Sequence, residues 1–171
     1  FNFGLDQLLP ENIEFIHGPG CPVCVLPMGR IDTCIDIASR PGVMFCTFGD
    51  AMRVPGKNGS LLQAKSRGAD VRIVYSPMDA LKLAQQNPQR EVVFFGLGFE
   101  TTMPATALTL RQARERNVDN FFFFCQHITL LPTLRSLLDQ PDNSIDAFLA
   151  PGHVSMVIGT EAYGFIASDY R

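Results

Sequence analysis

An α/β fold with a mainly parallel, Rossmann-like sheet flanked by helices is predicted by three features of the sequence. Short β-branched or aromatic runs bounded by Gly, Pro or Asp recur along its length. Stretches with helical spacing lie between them. The runs are near-continuously apolar rather than alternating, as strands are when helices cover both faces of a sheet.

In chain order, the expected strands are 13–17, 43–48, 71–75, 92–95, 121–125 and 147–149. Ile31, Cys34, Ile35 and Ala38 mark the apolar stripe of a first helix. Ser76-Pro77-Met78-Asp79 reads as a helix start. Ser76 is the N-cap, Pro77 suits the first helical position, and Asp79 suits the positive helix end. Ala105, Leu108 and Ala113 mark a further helix with an Arg-rich opposite face. The four phenylalanines at 121–124 are read as a strand buried on both faces.

Residues 85–91 form the most polar stretch and mark the expected boundary between two incomplete α/β units. The first, 1–88, carries a Cys-x-x-Cys turn; the second, 89–171, carries Gly-Phe-Glu-Thr-Thr and Pro-Gly-His-Val-Ser turns. A plain helix-to-strand loop would have the same composition.

The 171 residues include 14 Lys and Arg against 17 Asp and Glu, giving a net charge of −3. With no basic block, this balance argues against a nucleic-acid backbone or an anionic membrane as the main partner. An uncharged run over 120–134 contains Asn120, Gln126, His127 and Pro132 and is too short to span a bilayer. The chain starts at Phe1 and reads as an excised fragment. Five cysteines, Cys21, Cys24, Cys34, Cys46 and Cys125, are odd in number and sparse, which favours a reducing compartment and a cytoplasmic location.

Gly18-Pro19-Gly20-Cys21-Pro22-Val23-Cys24 is the densest chemical signal, expected between a strand and a helix start. Two cysteines at this spacing can close a disulfide, and a helix N-terminus stabilises the attacking thiolate. Gly20 lets a backbone or ligand approach closely. Half of a zinc site is the rival reading, although no second Cys-x-x-Cys follows. Cys34 and Cys46 fit buried, inert thiols.

Gly96-Leu97-Gly98-Phe99-Glu100-Thr101-Thr102 also follows a strand and opens a helix. It lacks the third glycine of a dinucleotide fingerprint, and Glu100 would repel a pyrophosphate. Gly98 can shape the turn and Thr101 or Thr102 can cap the helix. Glu100 is left as a base, a metal ligand or a hydrogen-bond acceptor. Ala150-Pro151-Gly152-His153-Val154-Ser155 repeats the arrangement, with His153 a ligand or proton carrier, or, with Ser155, merely a helix cap. His127 is a further candidate whose plain reading is a satisfied, half-buried histidine. All these turns follow strand carboxyl ends, where open α/β sheets bind ligands.

The three turns, in this order and spacing, resemble the signature motifs of the HypD family of nickel–iron hydrogenase maturation factors, and the likeness runs end to end. The resemblance implies two α/β domains with the motifs around the cleft between them. It implies a scaffold on which the Fe(CN)2CO group is assembled, in complex with HypC, with HypE delivering cyanide. Cys21 and Cys24 would be its redox pair and candidate metal ligands. Glu100 and His153 would join them in catalysis, with Gly20, Gly98, Thr101, Thr102 and Ser155 lining the cofactor side. Family members are about twice this length, with a Cys-Gly-Thr-His type motif upstream of Phe1 and a 4Fe–4S module downstream; no cluster is expected on this chain itself. A stand-alone thiol–disulfide oxidoreductase is the alternative, and a structural or zinc-stabilised binding module the third.

Overall fold

The computed structural model describes residues 4, 8–18 and 20–170. Four strands, β1 (Val43–Thr47), β2 (Val71–Ile73), β3 (Glu91–Gly98) and β4 (Phe121–His127), form one all-parallel sheet in the order β2-β1-β3-β4. Seven α-helices accompany it among the described residues. They are α1 (Met28–Ala38), α2 (Leu61–Ser66), α3 (Pro77–Gln86), α4 (Met103–Glu115), α5 (Leu130–Leu138), α6 (Gly152–Ile158) and α7 (Gly164–Asp169). The α/β class expected from the sequence is the one observed.

Strand periodicity divides the core into two layers. Val43 and Phe45 of β1 join Val93, Phe95 and Leu97 of β3 beneath the Ile31, Cys34, Ile35 and Ala38 stripe of α1 and Leu61 and Ala64 of α2. Met44 and Cys46 join Val92 and Phe94 on the opposite face, against Ala80 and Ala84 of α3. Both faces of β1 and β3 are therefore apolar, which is why neither strand alternates. Local chemistry sets the helix starts. Ser76 Oγ accepts from the Asp79 amide at 3.2 Å with Pro77 at the first position of α3. Ser60 and Gln63 form a reciprocal capping box on α2.

From β1 the chain steps out to β2, then returns past β1 to β3 and on to β4. The sheet's order thus reverses at β1 and β3, and their carboxyl ends form the switch point at which such sheets hold ligands. Two 3-10 turns leave that point, Gly49–Arg53 after β1 and Glu100–Thr102 after β3.

Four expectations are corrected. Residues 13–17 and 147–149 are irregular rather than strands, with Ile16 and Leu149 exposed at 68% and 89%. Their β-forming composition finds no ladder partner among the described residues, and a strand needs one. The stretch 85–91 does not divide two sheets. It links α3 to β3, and β3 pairs with β1 from Val43↔Glu91 to Thr47↔Phe95. The Phe strand is only partly enclosed, because β4 is the outermost strand of the described sheet. Phe123 and Phe124 stack on Phe94 and Phe95, while Phe122 is exposed.

Candidate functional site

The Cys pair sits on a tight turn closed by the Cys24 amide donating to the Cys21 carbonyl at 3.1 Å, with Pro22 in the second position that such turns favour. Val23 and Leu26 pack on the α1 core layer and anchor the turn to the domain. Cys21 is held below the ordinary thiol range because the Cys24 thiol, and then the Cys24 backbone amide, donate hydrogen bonds to it. Cys24 is pushed up for the converse reason, since its proton is committed to Cys21. The carboxylate of Asp50, just past β1, opposes the effect on Cys21, and Val23 and Leu26 pack on the core cluster that includes Ala51 and Met52 of the turn that carries Asp50.

The pair is therefore graded, with Cys21 the more readily ionised thiol and Cys24 the one that holds its proton more tightly. Both thiols are free and accessible, Cys24 fully and Cys21 partly. Hydrogen bonding, rather than a helix dipole, makes the difference, since α1 begins only at Met28 and no strand precedes the turn among the described residues. Pro19 lies outside the described residues. Gly20 is exposed with open space where a Cβ would stand. Cys34 and Cys46 are fully buried and pushed up to about 12 by desolvation, as inert core thiols should be. Cys125, by contrast, is exposed.

Glu100 is only 6% exposed. Its Oε1 accepts from the Leu130 amide at 2.5 Å, so it caps α5, whose own N-cap residue Thr129 makes no side-chain cap bond. Its other oxygen, Oε2, is buried without a hydrogen-bond partner. Glu100 also lines a cavity of about 410 Å³ whose other walls, Met103, Pro104, Ala107, Leu131, Pro132 and Val157 among them, are mostly apolar. A buried carboxylate with one oxygen to spare can accept from a donor that reaches it.

The remaining turn residues divide between structure and exposure. Thr102 precedes α4, yet its hydroxyl donates to Phe99 O at 3.0 Å rather than capping the helix, and it meets His127 Nε2 at 2.9 Å. Thr101 is exposed. Gly98 is required, because a Cβ there would collide with Thr102 Oγ1. Ser155 lies inside α6 rather than at its cap. It donates to Pro151 O at 3.0 Å and is bonded to the Tyr163 hydroxyl at 2.9 Å, tying α6 to the turn that follows. His153, on the first turn of α6, is exposed. Because α6 packs on the Glu100–Thr102 turn, the Glu100 and His153 motifs do meet in space. No hydrogen bond joins the Cys pair to Glu100 or His153 among the described residues.

Two residues that matter here were missed or undervalued at the sequence level. Asp50 carried no motif. His127 did carry a signal, for it stands two residues after Cys125 on one strand face. Among the described residues no group of three or more His, Cys, Asp and Glu side chains is placed to hold a metal. No helix among the described residues has the length and apolarity to cross a membrane.

Comparison with known proteins fits this arrangement of turns. A family profile described as "Hydrogenase formation hypA family", HypD, matches residues 1–171. This chain belongs to the HypD family. It is 85% identical over 171 residues to the hydrogenase maturation factor HypD of Escherichia coli strain K12, covering all of this chain and 46% of that protein. It is 64% identical over 170 residues to its counterpart in Rhodobacter capsulatus, covering 99% of this chain and 45% of that protein. For Rhizobium leguminosarum bv. viciae the identity is 54% over 176 residues, covering 99% and 46%. The chain thus spans rather less than half the length of these curated relatives.

Proposed function

We propose that this chain forms part of a hydrogenase-maturation scaffold on which the Fe(CN)2CO group is assembled as cargo, with Cys21 and Cys24 as a redox-active dithiol. One observation carries the reading. The two thiols share a turn that lowers the proton affinity of one at the expense of the other, near the carboxyl end of β1, one of the two strands at the switch point. Cys21 is then the nucleophile or first iron ligand, and Cys24 the resolving thiol that retains its proton. Closing the pair from the Cys21 thiolate and the Cys24 thiol forms one S–S bond, releases one proton to solvent and passes two electrons, one at a time, to the proposed 4Fe–4S cluster of the full-length protein.

The cargo carries three ligands of its own, two cyanides and one carbonyl, so the Cys pair need supply only part of the iron's set and any further ligand comes from outside this segment. The unpartnered oxygen of Glu100 is the acceptor assigned to a donor group brought in by the cargo or a partner. His153, exposed on the neighbouring α6, supplies an imidazole that can carry a proton. HypC and HypE are the proposed partners, a 4Fe–4S cluster elsewhere in the full-length protein the proposed electron partner, and the cytoplasm the proposed compartment.

The test is iron binding measured together with thiol titration on the full-length protein and on its Cys21→Ser and Cys24→Ser variants. The scaffold reading expects bound iron to fall in both variants along with the two reactive thiols. A reversible dithiol with no dependence of iron on either cysteine would favour the stand-alone oxidoreductase instead.

A further inference from the structure

The geometry points to Cys125 as a base-assisted thiol, a modification site that exchanges with small-molecule disulfides through His127, independently of the Cys21–Cys24 pair. Cys125 and His127 stand two apart on β4, and strand periodicity puts both on one face of its carboxyl end. Cys125 is exposed, and its Sγ lies 3.7 Å from His127 Nδ1.

One proton arrangement lets Thr102 keep both of its side-chain contacts. Its hydroxyl has one proton, donated to Phe99 O at 3.0 Å. The 2.9 Å contact between Thr102 Oγ1 and His127 Nε2 is then made by the ring N–H. The step uses the tautomer in which neutral His127 carries its proton on Nε2 and turns a bare Nδ1 toward the thiol. Burial lowers the proton affinity of this imidazole, which keeps it neutral and able to accept.

The ring's seat is built into the sheet. Phe123 flanks it with centroids 5.8 Å apart. A Cβ on Gly96 would come within 3.2 Å of His127 Cε1 and collide with Phe123, and one on Gly98 would displace the Thr102 hydroxyl. Two glycines and a threonine of the β3 turn thus hold one histidine in register with one exposed cysteine.

The step balances without a further reagent. Nδ1 takes the thiol proton as Sγ attacks one sulfur of a disulfide R–S–S–R. A Cys125–S–S–R bond forms, the original S–S bond breaks, and the departing thiolate recovers the proton from the imidazolium. His127 acts as general base and then general acid; Thr102 is a positioning residue.

The test uses the full-length protein with glutathione disulfide as probe, and site-resolved mass spectrometry to follow each cysteine. Cys125 should be labelled far faster than buried Cys34 and Cys46. His127→Asn should slow it roughly tenfold or more, less than the ~10²–10⁴ a positioned base can give, because hydroxide still reaches an exposed thiol. Labelling of Cys21 should not change. An unchanged Cys125 rate, or an equal fall at Cys21, overturns the assignment. Should His127→Asn melt below the assay temperature, Thr102→Val removes the hydroxyl that fixes the tautomer. It too should slow Cys125 selectively, and an unchanged rate there is equally fatal.

Discussion

Glu100 is where the packing of the fold and the proposed function meet. Its Oε1 holds the Leu130 amide at the start of α5, thirty residues away in sequence, while its buried Oε2 has no partner. Replacing Glu100 with Ala leaves that amide without its acceptor, a loss of about 1–3 kcal/mol. It also removes a negative charge from a helix N-terminus, about 0.3–1 kcal/mol more. Relief of the unpartnered Oε2 opposes both, and the net is about 1–2 kcal/mol. For a domain of this size each kcal/mol shifts Tm by about 2–4 °C, so Glu100→Ala should melt roughly 2–8 °C lower.

Glu100→Gln keeps an oxygen for Leu130 and should cost under about 1 kcal/mol, as volume-conserving changes do. Only the spare anionic oxygen is lost. Thermal melts of the full-length protein check the first pair of values. Hydrogenase maturation in cells that rely on each variant checks the second. The account expects Glu100→Gln to melt nearly normally and fail to mature hydrogenase. Normal maturation by Glu100→Gln refutes a working role for the carboxylate, and equal melting losses in both variants refute the capping arithmetic.

Three further outcomes follow from the same geometry. Iodoacetamide should modify Cys21 before Cys24 at neutral pH, and blocking Cys21 should then lower the pH at which Cys24 reacts, because its proton acceptor has gone; faster reaction at Cys24 would reverse the roles. Gly98→Ala, which drives a Cβ into Thr102 Oγ1, should destabilise by about 1–3 kcal/mol, whereas Gly20→Ala, with open space around it, should leave the Tm unchanged. Asp70 bonds Arg72 at 2.9 Å and Arg90 at 2.6 Å, which hold its carboxyl below the usual carboxylate range. A depressed folded-state value means its contribution is present above the unfolded pKa of about 3.9 and fades as pH falls through the lower folded one. Acid-unfolding curves of Asp70→Asn should therefore lose stability at neutral pH and converge on the parent below about pH 4.

Local signals made much of the fold readable. The apolar stripe of α1, the Ser76-Pro77 start of α3, and strands β1, β3 and β4 each carry their own composition and punctuation. The runs at 13–17 and 147–149 misled for one physical reason. Strand composition describes a segment, while a strand is a pairing, and no described segment pairs with them. The polar stretch at 85–91 misled because a solvated loop within one sheet has the same residues as a linker between two.

At the site, the cysteine spacing and the presence of a carboxylate after β3 were legible. What each does was not. The gradation of Cys21 and Cys24 arises from turn hydrogen bonds, and the duty of Glu100 depends on Leu130, which only tertiary folding brings near. The apolar run that Cys125 ends gives no hint of exposure; β4's position at the edge of the described sheet leaves it exposed.

The central claim is that Cys21 and Cys24 act on the iron group rather than merely on each other. Infrared spectroscopy of the full-length protein, isolated with its partners, reads this most directly through the cyanide and carbonyl stretching bands of the bound cargo. The account predicts that these bands are present in the parent and lost in a Cys21→Ser/Cys24→Ser variant that melts at the parent temperature. Bands of undiminished intensity in that variant would contradict it.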